Sequence, residues 1–268
     1  MDGDGLLIGC FVGDADLWQM QRANEARSEI CPLFSLPLGT ALGFAPTYLT
    51  HVRGAYAFVR GYVGQGPGDL TIVDEGSSTP RRIANCNCVL EAGGADDTIF
   101  YIKDSATRQF AELWILRYPY RQPQLVWAPD MTMQSIAQDP TDPHRFVFVG
   151  HRSGPNCQQR GDIYLFDTRT VDREPPRNLT NSATTQVWPV VRGDWVAFLD
   201  FANDPASPNG CIDDRHDAWR RMLLQISTGR TMPFAEGISS GAPPVALFRT
   251  HALVGTGYIV PLPPEARQ

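Results

Sequence analysis

Residues 237–241, Gly237-Ile238-Ser239-Ser240-Gly241, spell the Gly-x-Ser-x-Gly turn that lifts a nucleophilic serine between a strand and a helix. The helix matters because its N-terminus helps hold the oxyanion, yet Ala242-Pro243-Pro244 follows here, so the segment reads as a Gly/Ser turn. The five histidines, His51, His144, His151, His216 and His251, show no metal-ligand spacing and fall at strand ends or in loops, where an imidazole is ordinarily structural or solvated. Residues 202–219 are richer. Cys211-Ile212-Asp213-Asp214-Arg215-His216-Asp217 gathers three carboxylates and an imidazole, donors suited to a hard cation such as Ca²⁺. Arg215 stands among them and offsets part of their charge, so no metal and no cofactor is expected. A long surface loop offering Asp213, Asp214, His216 and Trp219 to a partner is the better reading. Arg117-Tyr118-Pro119-Tyr120-Arg121-Gln122-Pro123 has the aromatic and arginine content of an interface anchor, which adds Tyr118, Tyr120 and Arg121 to the contact candidates.

Composition removes several functions. Twenty-nine acidic against 23 basic residues give a net charge of -6, which disfavours a broad phosphate-binding surface and with it nucleic acid. The only lysine, Lys103, follows Ile102, so a Gly-Lys-Ser/Thr phosphate loop is absent; a Schiff base would have to use this strand-end residue. No window approaches the ~18 apolar residues of a membrane-spanning helix. Met1-Asp2-Gly3-Asp4-Gly5 lacks the pattern of a secretory signal, so the protein is expected to be cytosolic or to have a leader outside this sequence.

Something must position these groups, and a loose internal repeat supplies it. Strand-like runs begin at Asp16, Asp69, Glu112, Asp162, Arg221 and Tyr258, at intervals of 37 to 59 residues. Each follows another strand-like run: 6–12, 55–59, 98–102, 146–149, 195–201 and 252–254. Further short runs lie upstream at 47–49, 135–137, 187–190 and 245–248, and downstream at 81–84 and 176–180. Four short antiparallel strands recurring every ~40–50 residues are the pattern of β-propeller blades. Gly 24 and Pro 22 suit such a turn-rich chain. One stretch competes: Leu17, Met20, Ala23, Ala26 and Ile30 have helical spacing, with Asp14 or Asp16 as a cap.

Gly161-Asp162-Ile163-Tyr164-Leu165-Phe166-Asp167, then Pro176-Arg177-Asn178-Leu179-Thr180-Asn181, Trp188-Pro189-Val190 and Trp195-Val196-Ala197-Phe198-Leu199, resembles the repeat of TolB-like, WD-like propellers. The match covers about residues 161–201 and weakens elsewhere; Gly193-Asp194 replaces the Asp-Gly turn, and the Leu-Thr turn is found only at 179–180. The resemblance implies an all-β fold of four-stranded blades. We expect a single propeller domain over 1–268, six blades rather than five, near 1–40, 41–88, 89–131, 132–184, 185–239 and 240–268, with the first lacking an inner strand. Because Asn178-Leu179-Thr180 coincides with the Leu-Thr turn, its glycosylation sequon reads as structural.

Six cysteines, several in Gly/Pro/Asn-rich loops, point to disulfides and an oxidising compartment, periplasmic or extracellular. Cys157 and Cys211 lie in equivalent loops of adjacent units and are expected to pair, as are Cys10 and Cys31 in the first unit. Cys86 and Cys88 would then bond elsewhere or stay reduced. The leading expectation is a non-catalytic exported module that binds a protein through its blade loops. Two alternatives stand beside it. One is a hydrolase or carbohydrate-binding propeller using His51, Asp139, Asp194 and His251 at a central channel; the other is the propeller part of a larger peptidase.

Overall fold

The computed structural model describes residues 6–11, 17–24, 29–37, 44–62, 67–77, 79–104, 110–153, 159–182, 184–202, 218–236, 243–255 and 257–267. Among them the chain forms antiparallel sheets. The first holds β1 (Leu6–Phe11), β2 (Leu17–Asn24) and β3 (Glu29–Pro37). The second runs through β4 (Phe44–Val52), β5 (Ala55–Tyr62), β6 (Gly68–Asp74), β7 (Arg81–Ala95), β8 (Thr98–Asp104), β9 (Ala111–Arg117) and β10 (Gln124–Trp127). The third is β11 (Thr132–Asp139), β12 (Asp142–Ser153), β13 (Gln159–Asp167) and β14 (Arg177–Asn178). The fourth is β15 (Thr185–Arg192), β16 (Trp195–Ala202), β17 (Ala218–Gln225) and β18 (Thr231–Pro233), and the fifth β19 (Pro244–Leu247), β20 (His251–Val254) and β21 (Tyr258–Pro261). Sheet neighbours are sequence neighbours throughout, the meander of a propeller blade.

The helical alternative at 14–30 is overturned. β2 is paired on both sides, Leu6 opposite Ala23 and Leu17 opposite Pro37, and this long-range pairing overrides a spacing that a helix would also satisfy. The sequence also left residues 85–95 without a strand, whereas β7 continues to Ala95 and joins two four-stranded groups into one seven-stranded sheet. Gly93 and Gly94 look like loop residues but are needed for close approach. A Cβ on Gly93 would lie 2.5 Å from Phe100 Cζ, and one on Gly94 2.7 Å from Val52 Cγ1.

Packing divides the chain into two compact units, residues 1–105 with 113–125, and 106–112 with 126–268. In the first, Val52, Leu70, Ile72, Ile99, Tyr101 and Tyr120 share one apolar cluster. β8 is buried along five consecutive residues, which is why Ile99-Phe100-Tyr101-Ile102 reads as a continuous apolar run rather than an alternating one. Burying each such side chain contributes about 1.5–3 kcal/mol. In the second unit, Val147 and Ile163 of the third sheet meet Val191, Val196 and Phe198 of the fourth. Trp195 and Leu223 likewise meet Leu247 and Val254 of the fifth.

The opening strands of the second to fifth sheets share one irregularity. Pairing slips between Thr47 and Thr50 in β4, Gln134 and Ala137 in β11, Val187 and Val190 in β15, and Pro244 and Ala246 in β19. Such bulges bend a strand and re-aim the side chains they carry.

Candidate functional site

In the second unit, strand direction brings one set of strand ends together. β11, β13, β15 and β17 start at this end, and β12 and β16 finish there. Polar side chains fill the strand ends. Asp162 accepts from Asn178 Nδ2 at 3.0 Å and from the Ser182 backbone N–H at 2.9 Å. Across the sheet boundary, Gln186 Nε2 donates to Asp200 Oδ1 at 3.0 Å, and the Thr184 hydroxyl donates to the same carboxylate. The Thr180 hydroxyl joins the two halves, at 3.2 Å from Asp162 Oδ1 and 2.9 Å from Gln186 Oε1. Asp162, Gln186 and their donors therefore satisfy one another in a buried network, the condition under which such groups rigidify a site.

His151 sits beside this network, 7% exposed. Gln134 Nε2 lies 2.6 Å from His151 Nε2, so the amide donates and the imidazole proton is assigned to Nδ1. That buried Nδ1 has no hydrogen-bond partner among the described residues. Burial holds the imidazole's pKa below the ordinary value of 6.5, keeping it neutral at pH 7. Above about pH 6.5 both states are neutral here; as pH falls below it the unfolded chain takes up a proton that the native state resists, and stability declines. Melting profiles between pH 7.5 and 5 are expected to show this acid loss in the native sequence and a flatter curve in His151→Gln; matching slopes would refute the assignment.

Trp188 is the exposed feature of this end. Its indole is 43% exposed and stacks on Trp219 at 5.7 Å and 7°, with Trp219 backed by Phe201. Trp188 occupies the β15 bulge at φ +49°, as Ser135 occupies the β11 bulge at φ +59°. A small polar residue tolerates the left-handed region far better than a bulky aromatic, so the indole is held there against backbone preference. The bulge turns the indole outward.

The remaining candidates are dispersed. Asp213, Asp214, His216, Cys157, Cys211 and the Gly237–Gly241 turn lie outside the described residues; Trp219 is within the aromatic pair. In the first unit Tyr118 is 52% exposed and carries the Arg53 guanidinium 4.9 Å above its ring, while Arg121 is exposed. Tyr120 corrects the expectation of a uniformly exposed run: it is 1% exposed and donates its hydroxyl to Arg53 O at 3.0 Å. Burial first, then the Asp97 charge, pushes its pKa up to about 12. Cys10 pairs with Gln19 and Cys31 with Arg22, on opposite edges of β2, and the expected bond between their side chains lies outside what is described. Cys86 and Cys88 are instead bonded to each other, with Cα atoms 5.1 Å apart, because β7 bulges where they sit.

His51, Asp139, Asp194 and His251 each serve a turn or strand end. His51 Nε2 contacts Glu75 at 2.7 Å, Asp139 accepts from the Gly193 N–H, Asp194 accepts from the Ser227 N–H at 2.8 Å, and His251 Nδ1 meets Thr250 at 2.7 Å. Asn178 spends its amide on Asp162 while its oxygen accepts the Thr180 N–H, the turn role expected of it. Sequence reasoning missed Gln134, His151, Gln186 and Asp200 as a group. The one local signal was Gly161, whose missing Cβ leaves room for the His151 ring.

No protein-family model matches the chain, and no curated protein matches it. Solved structures do. A candidate TolB from Agrobacterium tumefaciens is 15% identical, with 87% of this chain and 76% of that one aligned at a TM-score of 0.51. The β-propeller domain of the Trilobed protease from Pyrococcus furiosus, of open velcro topology, is 12% identical over 81% and 65% at 0.55. A prolyl endopeptidase is 11% identical over 90% of this chain and 36% of its own at 0.60, so the chain spans about a third of that enzyme. These likenesses show the fold, a TolB-like β-propeller.

Proposed function

We propose that this propeller is a non-catalytic binding module that holds a protein partner at the loop-bearing end of its second unit, through Trp188, Trp219 and the adjoining loop residues Asp213, Asp214 and His216. Trp188 carries the reading: an exposed, stacked indole held at a disfavoured backbone conformation is better accounted for by contact than by stability. Tyr118 and Arg121 form a second, smaller contact surface on the first unit, with Tyr120 fixing the turn beneath. In this reading the protein works in an oxidising compartment, periplasmic or extracellular, with Cys157 bonded to Cys211, six blades, and no metal or cofactor.

A second reading has a specific observation behind it. The neutral His151 Nδ1 and the Asp162–Gln186–Asp200 network two residues from Trp188 would suit a sugar, stacked on the indole and hydrogen-bonded below. The peptidase alternative rests only on the shared fold.

The test is chemical crosslinking of the full chain in its native source, with the partner identified and its affinity then measured on purified proteins. Trp188→Gly relaxes the backbone, so the unfolding free energy is expected to stay within about 1 kcal/mol of the original while affinity falls at least tenfold. Unchanged affinity would sink the reading. An oligosaccharide bound in place of any protein would favour the second.

A further inference from the structure

We propose that the Cys86–Cys88 disulfide is a thiol–disulfide exchange site, opened from solvent at Cys86 by a dithiol.

Four observations carry this. The bond closes a loop of sequence separation 2, so it restricts the unfolded chain less than a bond between distant strands would, and its role as a staple is correspondingly small. It sits where the ladder is already broken. β6 advances from Gly68 to Leu70 while its partners on β7 move from Val89 to Ala84, so residues 85–88 bulge out of register. Cys86 is exposed and Cys88 half-buried, which offers one sulfur to an attacking thiolate and keeps the other as the leaving group. Finally, β7 has two employments, pairing through Arg81–Ala84 with β6 and through Val89–Ala95 with β8. The bond lies in the segment between them, so opening it removes neither ladder.

The chemistry balances with a dithiol as reductant. Its first thiolate attacks Cys86 Sγ, forming a mixed disulfide; the Cys86–Cys88 bond breaks and its electron pair leaves on Cys88 Sγ, which takes a proton. The second thiolate of the reductant then attacks its own sulfur in the mixed disulfide, releasing Cys86 as a thiolate that is protonated in turn. The protein gains two thiols and the reductant becomes a disulfide. An exposed bond of this kind belongs to the labile class, whereas structural bonds resist such reduction.

Trypsin tests it cleanly, because cleavage after Arg82 and Lys103 yields residues 83–103, which contain Cys86 and Cys88 and no other cysteine. Purified, folded protein is expected to give this peptide oxidised. After brief incubation with dithiothreitol in native buffer and alkylation, the doubly alkylated peptide should replace it at least tenfold faster than any other cystine in the chain is reduced. In Cys88→Ser, oxidised glutathione should cap Cys86 at least tenfold faster than it caps Cys88 in Cys86→Ser. The proposal is overturned if the peptide is already reduced in protein purified without reductant, if either cysteine is found bonded elsewhere, or if reduction needs denaturant. Equal capping of the two single variants would overturn the assignment of Cys86 as the attacked sulfur.

Discussion

Asp139→Ala is expected to lower the unfolding free energy by about 3–5 kcal/mol, the loss typical of removing one member of a buried ionic cluster. Asp139 is fully buried at the end of β11. It accepts from the Gly193 N–H at 3.0 Å, and from the Thr141 N–H at 2.8 Å and the Thr141 hydroxyl at 2.7 Å. Arg145 closes the group, its Nη1 3.6 Å from Asp139 Oδ2 and its Nη2 donating to Gly193 O at 2.7 Å. Gly193 forms the turn between β15 and β16 at φ +54°, so one carboxylate ties the third sheet to the fourth. Alanine would strand the Thr141 N–H, leave the Gly193 N–H only its longer contact to Thr141 Oγ1 at 3.2 Å, and deprive the guanidinium of its anion, and each deficit is costly away from water. Asp139→Asn keeps an acceptor and should cost less, about 1–3 kcal/mol. Urea titration is the measurement, with the midpoint shifting and the slope unchanged if the effect lies in the native state. A loss below about 1 kcal/mol in the alanine variant would mean that solvent reaches these donors.

The same residue shows where a sequence reading runs out. Asp139 stood in the pattern as a carboxylate near a strand end, a place equally suited to acid–base catalysis and to bracing a turn. Only its distance to Gly193, 54 positions away, separates the two. The strands themselves were legible because apolar runs such as Thr98–Ile102 and the Asp162–Phe166 repeat are local signals. Register and bulges are not local: they depend on which strand lies alongside. Hence the sequence shows a strand only over 81–84 where β7 runs on to Ala95, it leaves Cys86 and Cys88 to bond elsewhere or stay reduced where they bond each other, and no local pattern marks the bulge that turns Trp188 out. The polar network suffers most from this limit, since Gln134, His151, Asp162, Gln186 and Asp200 come from five strands, each separated from the next by a turn or loop. Tyr120 teaches the converse. A Tyr-Pro-Tyr run looks solvent-facing by composition, yet the turn sends Tyr118 outward and Tyr120 into the core beneath it.

Gly161→Ala should lower stability by about 2–3 kcal/mol through overpacking. The new Cβ would lie 2.8 Å from Gln186 O, 2.8 Å from His151 Cε1 and 2.9 Å from His151 Nδ1. None of the three can move freely. Gln186 O is backbone of the neighbouring sheet, and the His151 ring is buried and tied through Nε2 to Gln134. Gly54 makes the control: it also lacks a Cβ, but nothing lies within 4 Å of where one would be, and only its φ of +67° resists substitution. Gly54→Ala is therefore expected to cost about 1 kcal/mol, a backbone effect alone. The two variants also separate packing from binding. If the His151 ring is displaced, Gly161→Ala should steepen or abolish the acid-dependent loss of stability assigned to that imidazole, while Gly54→Ala leaves it intact. Were the two alanines equally mild, the tight contact between the third and fourth sheets would be wrong, and with it the buried setting that keeps His151 neutral beside the exposed indole pair.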